Sequence, residues 1–114
     1  HKTLDGSAVR DFIHVDDLAN IHFESLKYLI KNKENQICNC GYGKGYSIEQ
    51  VIKTLLKNKE MNLNYSFSKK RPGDISYMVA DVKKIKKLLN WKPKFSSLEK
   101  MLTSEIKWKI KIKK

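Results

Sequence analysis

The sequence predicts an α/β fold in which short strands alternate with amphipathic helices. Two kinds of apolar spacing support this fold class. Some segments alternate apolar and polar residues, as strands do, while others repeat apolar residues every three or four positions, as helices do. The two kinds of segment follow one another throughout the 114 residues, an order typical of α/β proteins. This length corresponds to one domain or to part of one.

The first predicted strand covers residues 9–15. Because successive side chains of a strand point to opposite faces, Arg10, Phe12 and His14 are expected on one face. That face could carry a cation for phosphate binding beside an aromatic surface.

A helix is predicted next, capped by Asp16 or Asp17 and ending at the polar segment 31–35. Residues 36–40 predict a second strand, and the glycine-rich segment 41–45 predicts a structural turn in which glycines supply positive φ angles. The first 45 residues therefore predict a strand, a helix and a strand.

The second helix has the clearest signal in the chain. Ser47 and Gln50 have the spacing of a capping box, and an apolar stripe runs along residues 48–56. Beyond this helix, residues 63–67 alternate apolar and polar side chains, which predicts a strand with one buried face. Residues 75–80 predict another strand.

Two further helices are predicted near the end of the chain. Asp81 is expected to cap the first of them, which stops before the Trp-Lys-Pro segment at residues 91–93. The spacing of Ser96 and Glu99 predicts a second capping box, followed by a last helix through about residue 109.

The formal net charge of +12 would suit a nucleic-acid partner, since lysine and arginine neutralise phosphates. The lysines, however, are spread along the chain, and within residues 82–89 they alternate with apolar residues as on a solvated helix face. No nucleic-acid partner is therefore expected. A membrane partner is not expected either, because no apolar run approaches the roughly 18 residues that span a bilayer.

Cys38 and Cys40 are the only cysteines, and their spacing in a strand places both on one face at a separation poorly suited to a disulfide. We expect buried free thiols, which fit a cytoplasmic protein. A metal site is not expected, because His1, His14 and His22 supply no further ligands at suitable spacing.

Arginine is rare in this chain. Twenty-two lysines accompany only Arg10 and Arg71. A guanidinium group can hold a phosphate through two parallel hydrogen bonds, which an ammonium group cannot. Arg71 begins an Arg-Pro-Gly-Asp turn, and its side chain and that of Asp74 could together bind a nucleotide diphosphate and a sugar or ribose hydroxyl. The alternative is a surface ion pair between them, worth at most about 1 kcal/mol.

No catalytic group can be identified from the residues alone. The glycine-rich turn lacks the third glycine of a dinucleotide-binding fingerprint, because Tyr46 occupies that position, and it lacks the Gly-Lys-Ser/Thr triplet of a Walker motif. His14 lies near Asp16 and Asp17, but a histidine at a strand end beside a helix cap is interpreted as structural. The residues therefore indicate the ligand-binding half of a site rather than a complete catalyst.

Four segments, taken in order, resemble the C-terminal third of UDP-glucose (UDP-galactose) 4-epimerases, which belong to the extended short-chain dehydrogenase group. They are Arg-Asp-Phe-Ile-His-Val-Asp-Asp-Leu-Ala at 10–19, Asn-x-Gly-x-Gly-Lys-Gly-Tyr-Ser at 39–47, Arg-Pro-Gly-Asp at 71–74 and Leu-Asn-Trp-Lys-Pro at 89–93. The first is shared across the group, including nucleotide-sugar dehydratases and decarboxylases. The second and third together favour the 4-epimerases.

The resemblance implies substrate-binding roles for four residues. Arg10 and Arg71 would bind the diphosphate of a UDP-sugar, Phe12 would lie near the substrate, and Asp74 would accept hydrogen bonds from the uridine ribose. The family usually has tyrosine at the position of Phe12, so one hydroxyl is missing here. Cys40 replaces a usual leucine, which changes packing alone.

Enzymes of this family oxidise the sugar at C4 with bound NAD and return the hydride to the opposite face. The resemblance implies that the NAD fingerprint and the catalytic residues lie in an N-terminal domain outside this chain. The chain itself is then expected to hold no catalytic or cofactor-binding residue and to be inactive alone. Residues 1–45 would complete the nucleotide-binding region, and residues 46–114 would form a small substrate-binding lobe.

Three alternatives remain open at this point. The chain could belong to another nucleotide-sugar epimerase, such as a UDP-N-acetylhexosamine 4-epimerase, or to a dehydratase. It could also be a stand-alone binding module. The sequence does not decide whether the protein forms a homodimer.

Overall fold

A computed structural model describes residues 1–58 and 61–113. Helices and two-residue strands alternate along the described chain, which confirms the predicted α/β class. The elements are β1 (Val9–Arg10), α1 (Val15–Asn32), β2 (Tyr46–Ser47), α2 (Ile48–Leu56), β3 (Tyr77–Met78), α3 (Lys83–Leu88) and α4 (Leu98–Ile112). The predicted lobe 46–114 also includes residues 59, 60 and 114, which lie outside the described residues.

The strand β1 is the centre of a three-stranded sheet with the order β2-β1-β3. It pairs antiparallel with β2 and parallel with β3, so that Arg10 lies opposite Tyr46 on one side and Met78 on the other. The sheet therefore places Arg10 between two segments that are distant in sequence.

The predicted strands are shorter than expected or absent. The strand predicted at residues 9–15 is reduced to Val9–Arg10, and the strand predicted at residues 75–80 is reduced to Tyr77–Met78. Residues 36–40 and 63–67 form no strand. A strand requires a neighbour that supplies ladder hydrogen bonds, and within the described chain no segment pairs with 36–40 or 63–67.

Side chains in the two unpaired segments are less buried than the strand pattern predicts. Cys38 and Cys40 are free thiols, as expected, but Cys38 is only half-buried and Cys40 is exposed. The alternating residues Tyr65 and Phe67 are exposed as well, and their rings meet edge to face at 5.7 Å. Without a neighbouring layer in the described residues, the face that alternation marks as apolar stays open to solvent.

The helix α1 begins two or three residues earlier than predicted. Its cap is His14, whose Nδ1 accepts a hydrogen bond from Asp16 N at 3.0 Å, so the predicted caps Asp16 and Asp17 lie within the first turn. The helix ends at Asn32, inside the predicted polar break, and Lys33 follows with a φ of 51°.

The capping box of α2 is confirmed in both directions. Ser47 Oγ accepts from Gln50 N at 3.1 Å, and Gln50 Oε1 accepts from Ser47 N at 2.8 Å. The start of α3 differs by one residue from the predicted cap at Asp81. Asp81 is not the cap of α3, as was predicted, because Val82 holds the cap position without a side-chain capping bond. Asp81 lies one residue before it and accepts from Lys83 N through Oδ1 at 3.0 Å.

The last helix is capped by Ser97 rather than by Ser96. Ser97 Oγ accepts from Lys100 N at 3.2 Å, and α4 continues to Ile112, three residues past the predicted end. With this start, Glu99 is the second residue of the helix instead of the third. It is therefore out of position to complete a capping box.

The core cluster joins Ile21 of α1 to Val82, Ile85 and Trp91 near α3. Half-buried neighbours pack against this cluster, and they are Ile13, Cys38, Tyr42, Ala80 and Leu89. The rings of Tyr42 and Trp91 stack with centroids 6.3 Å apart. Helix α1, the glycine-rich turn and α3 therefore share one apolar centre.

Asp17 is a buried carboxylate at the edge of this core. It accepts hydrogen bonds from Lys94 N and Phe95 N, both at 2.9 Å, and from the hydroxyl of Tyr42 at 2.6 Å. Burial alone would raise the pKa of Asp17, but these three hydrogen bonds outweigh burial and lower it below the ordinary value. Burial and the bond to Asp17 raise the pKa of Tyr42.

The cap of α4 can be tested with two neighbouring serines that are both exposed. We expect Ser97→Ala to lower the free energy of unfolding by about 1 kcal/mol, because Lys100 N loses its acceptor. The matched control Ser96→Ala should change it by less than about 0.5 kcal/mol. Urea unfolding followed by tryptophan fluorescence measures both values. Equal losses would show that the cap is assigned to the wrong residue.

The contribution of Asp17 should depend on pH. We expect Asp17→Asn to lower the free energy of unfolding by about 1–3 kcal/mol at pH 7, because an amide cannot accept all three hydrogen bonds. Since the folded-state pKa is lowered, this difference should be present above the ordinary pKa of 3.8 and disappear as the pH falls through the lower folded-state pKa. Unfolding curves between pH 7 and pH 2 measure the difference.

Asp16→Asn is the matched control for this experiment, since it makes the same change of charge at a neighbouring side chain that is 68% exposed. It should cost less than about 1 kcal/mol at any pH. A difference between wild type and Asp17→Asn that grows towards low pH would contradict the assigned network.

Candidate functional site

The two arginines of the chain approach the same carboxylate. Arg10 Nη2 donates to Asp74 Oδ1 at 3.0 Å, and Arg71 Nη2 lies 3.8 Å from Asp74 Oδ2. We call these three residues the Arg-Asp cluster. The structure therefore brings together three of the four residues for which the sequence predicts a role in binding substrate.

The two guanidinium groups of the cluster have different environments. Arg10 projects from the central strand β1, its Nη1 donates to Val9 O at 2.8 Å, and its side chain is 23% exposed. Arg71 lies on a loop and its side chain is 87% exposed. The cluster thus consists of one anchored cation and one cation at the surface.

A tight turn joins Arg71 to Asp74. Asp74 N donates to Arg71 O at 3.2 Å, and Gly73 has a φ of 77°, the left-handed conformation that favours glycine. Proline at the second position and glycine at the third are typical of a type II turn. The turn predicted from the sequence is confirmed, and it holds both side chains beside β1.

His1 also contacts the cluster. Its Nε2 lies 3.3 Å from Asp74 Oδ2, and its Nδ1 lies 3.2 Å from Ser76 Oγ. The Asp74 carboxylate, with its side chain 19% exposed, is therefore surrounded by three nitrogen-bearing side chains. Sequence analysis missed His1, because no local pattern connects it with a turn more than seventy residues later.

The carboxylate of Asp11 organises the backbone around Arg10. It accepts hydrogen bonds from Tyr42 N at 3.0 Å, Gly43 N at 2.9 Å and Ala80 N at 3.3 Å. These contacts join the end of β1 to the glycine-rich turn and to the segment after β3. Sequence analysis gave Asp11 no role. The available signal was a carboxylate inside a predicted strand, on the face that it would share with the apolar residues Val9, Ile13 and Val15.

The glycine-rich turn fits closely around Asp11. A Cβ atom on Gly41 would lie 2.6 Å from Asp11 Oδ2, so the approach of the carboxylate requires glycine there. Gly43 has a φ of 69°, as predicted for a structural turn. The N–H groups of Tyr42 and Gly43 point at a protein carboxylate, which leaves them unsuited to cradle a phosphate.

An open cleft of about 620 Å³ lies next to Arg10. Its other lining residues come from Asp11, from 38–40 and from 78–81. Phe12, the fourth predicted site residue, is half-buried and does not line this cleft. Because the strand ends at Arg10, the alternation that was expected to place Phe12 and His14 beside Arg10 stops there.

His14 is a structural residue, as predicted. It is buried, its ring stacks on Phe95 at 4.4 Å, and its Nε2 lies 2.7 Å from Ser104 Oγ. Since Nδ1 accepts from Asp16 N and the Ser104 hydroxyl donates to Met101 O, the hydrogen-bond pattern assigns the ring proton to Nε2. His14 therefore links the start of α1 to α4.

Residues 1–58 and 61–113 contain no group of three or more His, Cys, Asp or Glu side chains arranged to hold a metal ion. Over the same ranges, no helix has the length and apolar character needed to cross a bilayer.

Comparison with known proteins identifies relatives along nearly the whole chain. A curated UDP-glucose 4-epimerase from Azospirillum brasilense is 36% identical over 108 residues, which is 95% of this chain and 31% of that protein. The UDP-Glc/GlcNAc 4-epimerase from Campylobacter jejuni superposes with a TM-score of 0.83 at 37% identity, covering 97% of this chain and 33% of that one.

A second solved structure agrees more closely in shape. The UDP-glucose-4-epimerase from Stenotrophomonas maltophila, with bound NAD and formylated UDP-arabinopyranose, superposes with a TM-score of 0.91 at 29% identity, covering 99% of this chain and 33% of that one. The chain therefore spans about a third of the length of these relatives. The sequence pattern of the family described as GDP-mannose 4,6 dehydratase matches residues 2–104, and the chain therefore belongs to this family.

Proposed function

We propose that this chain is the substrate-binding part of a cytoplasmic UDP-glucose 4-epimerase, an isomerase that interconverts UDP-glucose and UDP-galactose with NAD. Arg10 and Arg71 bind the diphosphate in this proposal, Asp74 accepts hydrogen bonds from the uridine ribose, and Phe12 lies near the substrate. The observation that carries the proposal is the approach of both arginines to one small anionic group.

The geometry of the Arg-Asp cluster suits a phosphate ligand. A carboxylate and a phosphate present oxygen atoms of similar size and charge to a guanidinium group, so the Asp74 oxygens occupy positions that phosphate oxygens could take. Because Arg10 is already held by Val9 O, it loses little freedom on binding. The exposed Arg71 can complete the contact from the loop.

The described residues do not fit a dinucleotide. The turn of the chain that most resembles a phosphate cradle uses two of its N–H groups on Asp11. We therefore assign NAD, and the oxidation and reduction that it supplies, to the remainder of the polypeptide. The described residues contribute the binding of the UDP group.

An exposed apolar surface supports an attached NAD-binding domain. Phe23, Leu26 and Ile30 are exposed on α1 at the spacing of one helix face, and Ile37 in the unpaired segment 36–40 is 90% exposed. Neighbouring exposed apolar side chains are unusual unless another surface covers them. In our proposal residues 1–45 complete the NAD-binding domain, segment 36–40 joins the edge of its sheet, and residues 46–114 form the substrate lobe.

A UDP-N-acetylhexosamine 4-epimerase is the second candidate. The Campylobacter relative is described as a UDP-Glc/GlcNAc 4-epimerase, and it is 37% identical to this chain. Incubation of the full-length enzyme with UDP-glucose and with UDP-N-acetylglucosamine, followed by product analysis, separates the two functions.

The arginine assignment can be tested in the full-length enzyme with adjacent residues. We expect Arg71→Lys to weaken the binding of UDP-glucose by about 1–3 kcal/mol, because an ammonium group cannot make two parallel hydrogen bonds to a phosphate. The matched control is Lys70→Arg, which replaces the ammonium group of the neighbouring exposed residue by a guanidinium group. It should leave the binding of UDP-glucose nearly unchanged. Unchanged KM and kcat in Arg71→Lys would count against the proposed role.

The proposed domain arrangement predicts that the hydrogen-exchange rate of the segment 37–40 depends on the attached domain. Amides of residues 37–40 should exchange rapidly in the isolated chain and at least about 100-fold more slowly in the full-length protein, where a neighbouring strand would accept their hydrogen bonds. Amides in the middle of α2 serve as the control, since their bonds are already present within this chain. Rapid exchange of 37–40 in both proteins would contradict the proposal that this segment joins the edge of a neighbouring sheet.

A further inference from the structure

The Asp74 carboxylate lies where an anionic ligand would bind. Arg10 is 3.0 Å from one carboxylate oxygen, and Arg71 and His1 are 3.8 Å and 3.3 Å from the other. The protein therefore supplies its own anion to the only two guanidinium groups of the chain. Any phosphate that binds these groups has to share them with Asp74 or displace it.

We propose that Asp74 is a specificity-determining residue that makes the arginine pair select nucleoside diphosphates over bare inorganic anions. The inference rests on the proposed function, and it adds a reason why the site does not fill with free pyrophosphate or phosphate. Asp74 releases the arginines only to a ligand that also supplies a hydroxyl donor for the carboxylate.

The selection follows from the charges. A pyrophosphate carries several negative charges, and within about 5 Å of a carboxylate it experiences a repulsion that partial burial strengthens. It also offers the displaced Asp74 no donor to replace the arginine hydrogen bond, and the loss of that bond is costly for a partly buried carboxylate even with His1 beside it. A nucleoside diphosphate meets the same repulsion, but its ribose hydroxyls can donate to Asp74.

Asp74 and a bound phosphate compete for the same two guanidinium groups, and the surroundings of Arg10 and Arg71 show what a phosphate must displace. Arg10 is fixed by its bond to Val9 O, so its guanidinium stays in place when the carboxylate leaves. Arg71 is largely in solvent and makes the longer contact, which costs little to break. Removal of the Asp74 charge should therefore free two cations without moving the anchored one.

The test measures the binding of inorganic pyrophosphate and of UDP to the full-length enzyme by calorimetry. We expect Asp74→Asn to bind pyrophosphate about tenfold more tightly than the wild type, because the competing charge is gone. UDP binding should stay unchanged or become weaker, because the loss of the carboxylate that accepts from the ribose offsets the loss of the competing charge, so that the preference for UDP over pyrophosphate falls by about tenfold or more. Glu105→Gln removes the same charge from the exposed face of α4 and should change neither affinity.

Pyrophosphate binding that is unchanged or weaker in Asp74→Asn, with native thermal stability, would overturn the inference. If Asp74→Asn does not fold, Asp74→Ser removes the same charge and is judged by the same comparison. A wild-type enzyme that binds pyrophosphate but not UDP would overturn the proposed function, while the pyrophosphate comparison would still decide whether Asp74 competes with anions.

Discussion

The candidate site depends on the hydrogen bonds that the carboxylate of Asp11 accepts. Three backbone N–H groups from two distant segments donate to it, and it directly follows Arg10 in the sequence. Charge-assisted hydrogen bonds of this kind are stronger than those between neutral groups. The position of the glycine-rich turn and of the segment after β3 is therefore coupled to the strand that carries the anchored arginine.

Asp17 joins helix α1 to the segment before α4 in the same way, because Lys94 N and Phe95 N donate to its carboxylate. Tyr42 donates to both Asp11 and Asp17 and so connects the two carboxylates. The backbone N–H of Tyr42 donates to Asp11, its hydroxyl donates to Asp17, and its ring stacks on the core residue Trp91. Removing a carboxylate from water is tolerated when hydrogen bonds replace those to water, and the buried Asp17 and the half-buried Asp11 each accept three hydrogen bonds. Tyr42 thus links the site directly to the core, and Ala80, whose N–H donates to Asp11, packs against the same core cluster.

Some features that depend only on neighbouring residues were predicted correctly, such as the capping box of α2 and the turn at 71–74, although the caps of α1 and α4 lie at other residues than predicted. Features that depend on distant residues could not be predicted. The helix α2 and its capping box involve residues at most a few positions apart, and both were confirmed. The strands predicted at 36–40 and 63–67 do not form in the described residues. Strand formation depends on a partner segment, which the spacing of apolar residues does not identify. In the site, the scarcity of arginine indicated Arg10 and Arg71, but the contacts of Asp11 and His1 arise only from the fold.

The cleft beside Arg10 links the binding of substrate to the domain that we propose to adjoin this chain. Residues 38–40, which lack a strand neighbour within the described chain, line the same cleft as Arg10 and Asp11. A strand added next to this segment would therefore complete one wall of the cleft and exclude water from the anchored guanidinium. Since hydrogen bonds to phosphate strengthen as water is excluded, attachment of that domain should increase the affinity of Arg10 for a diphosphate.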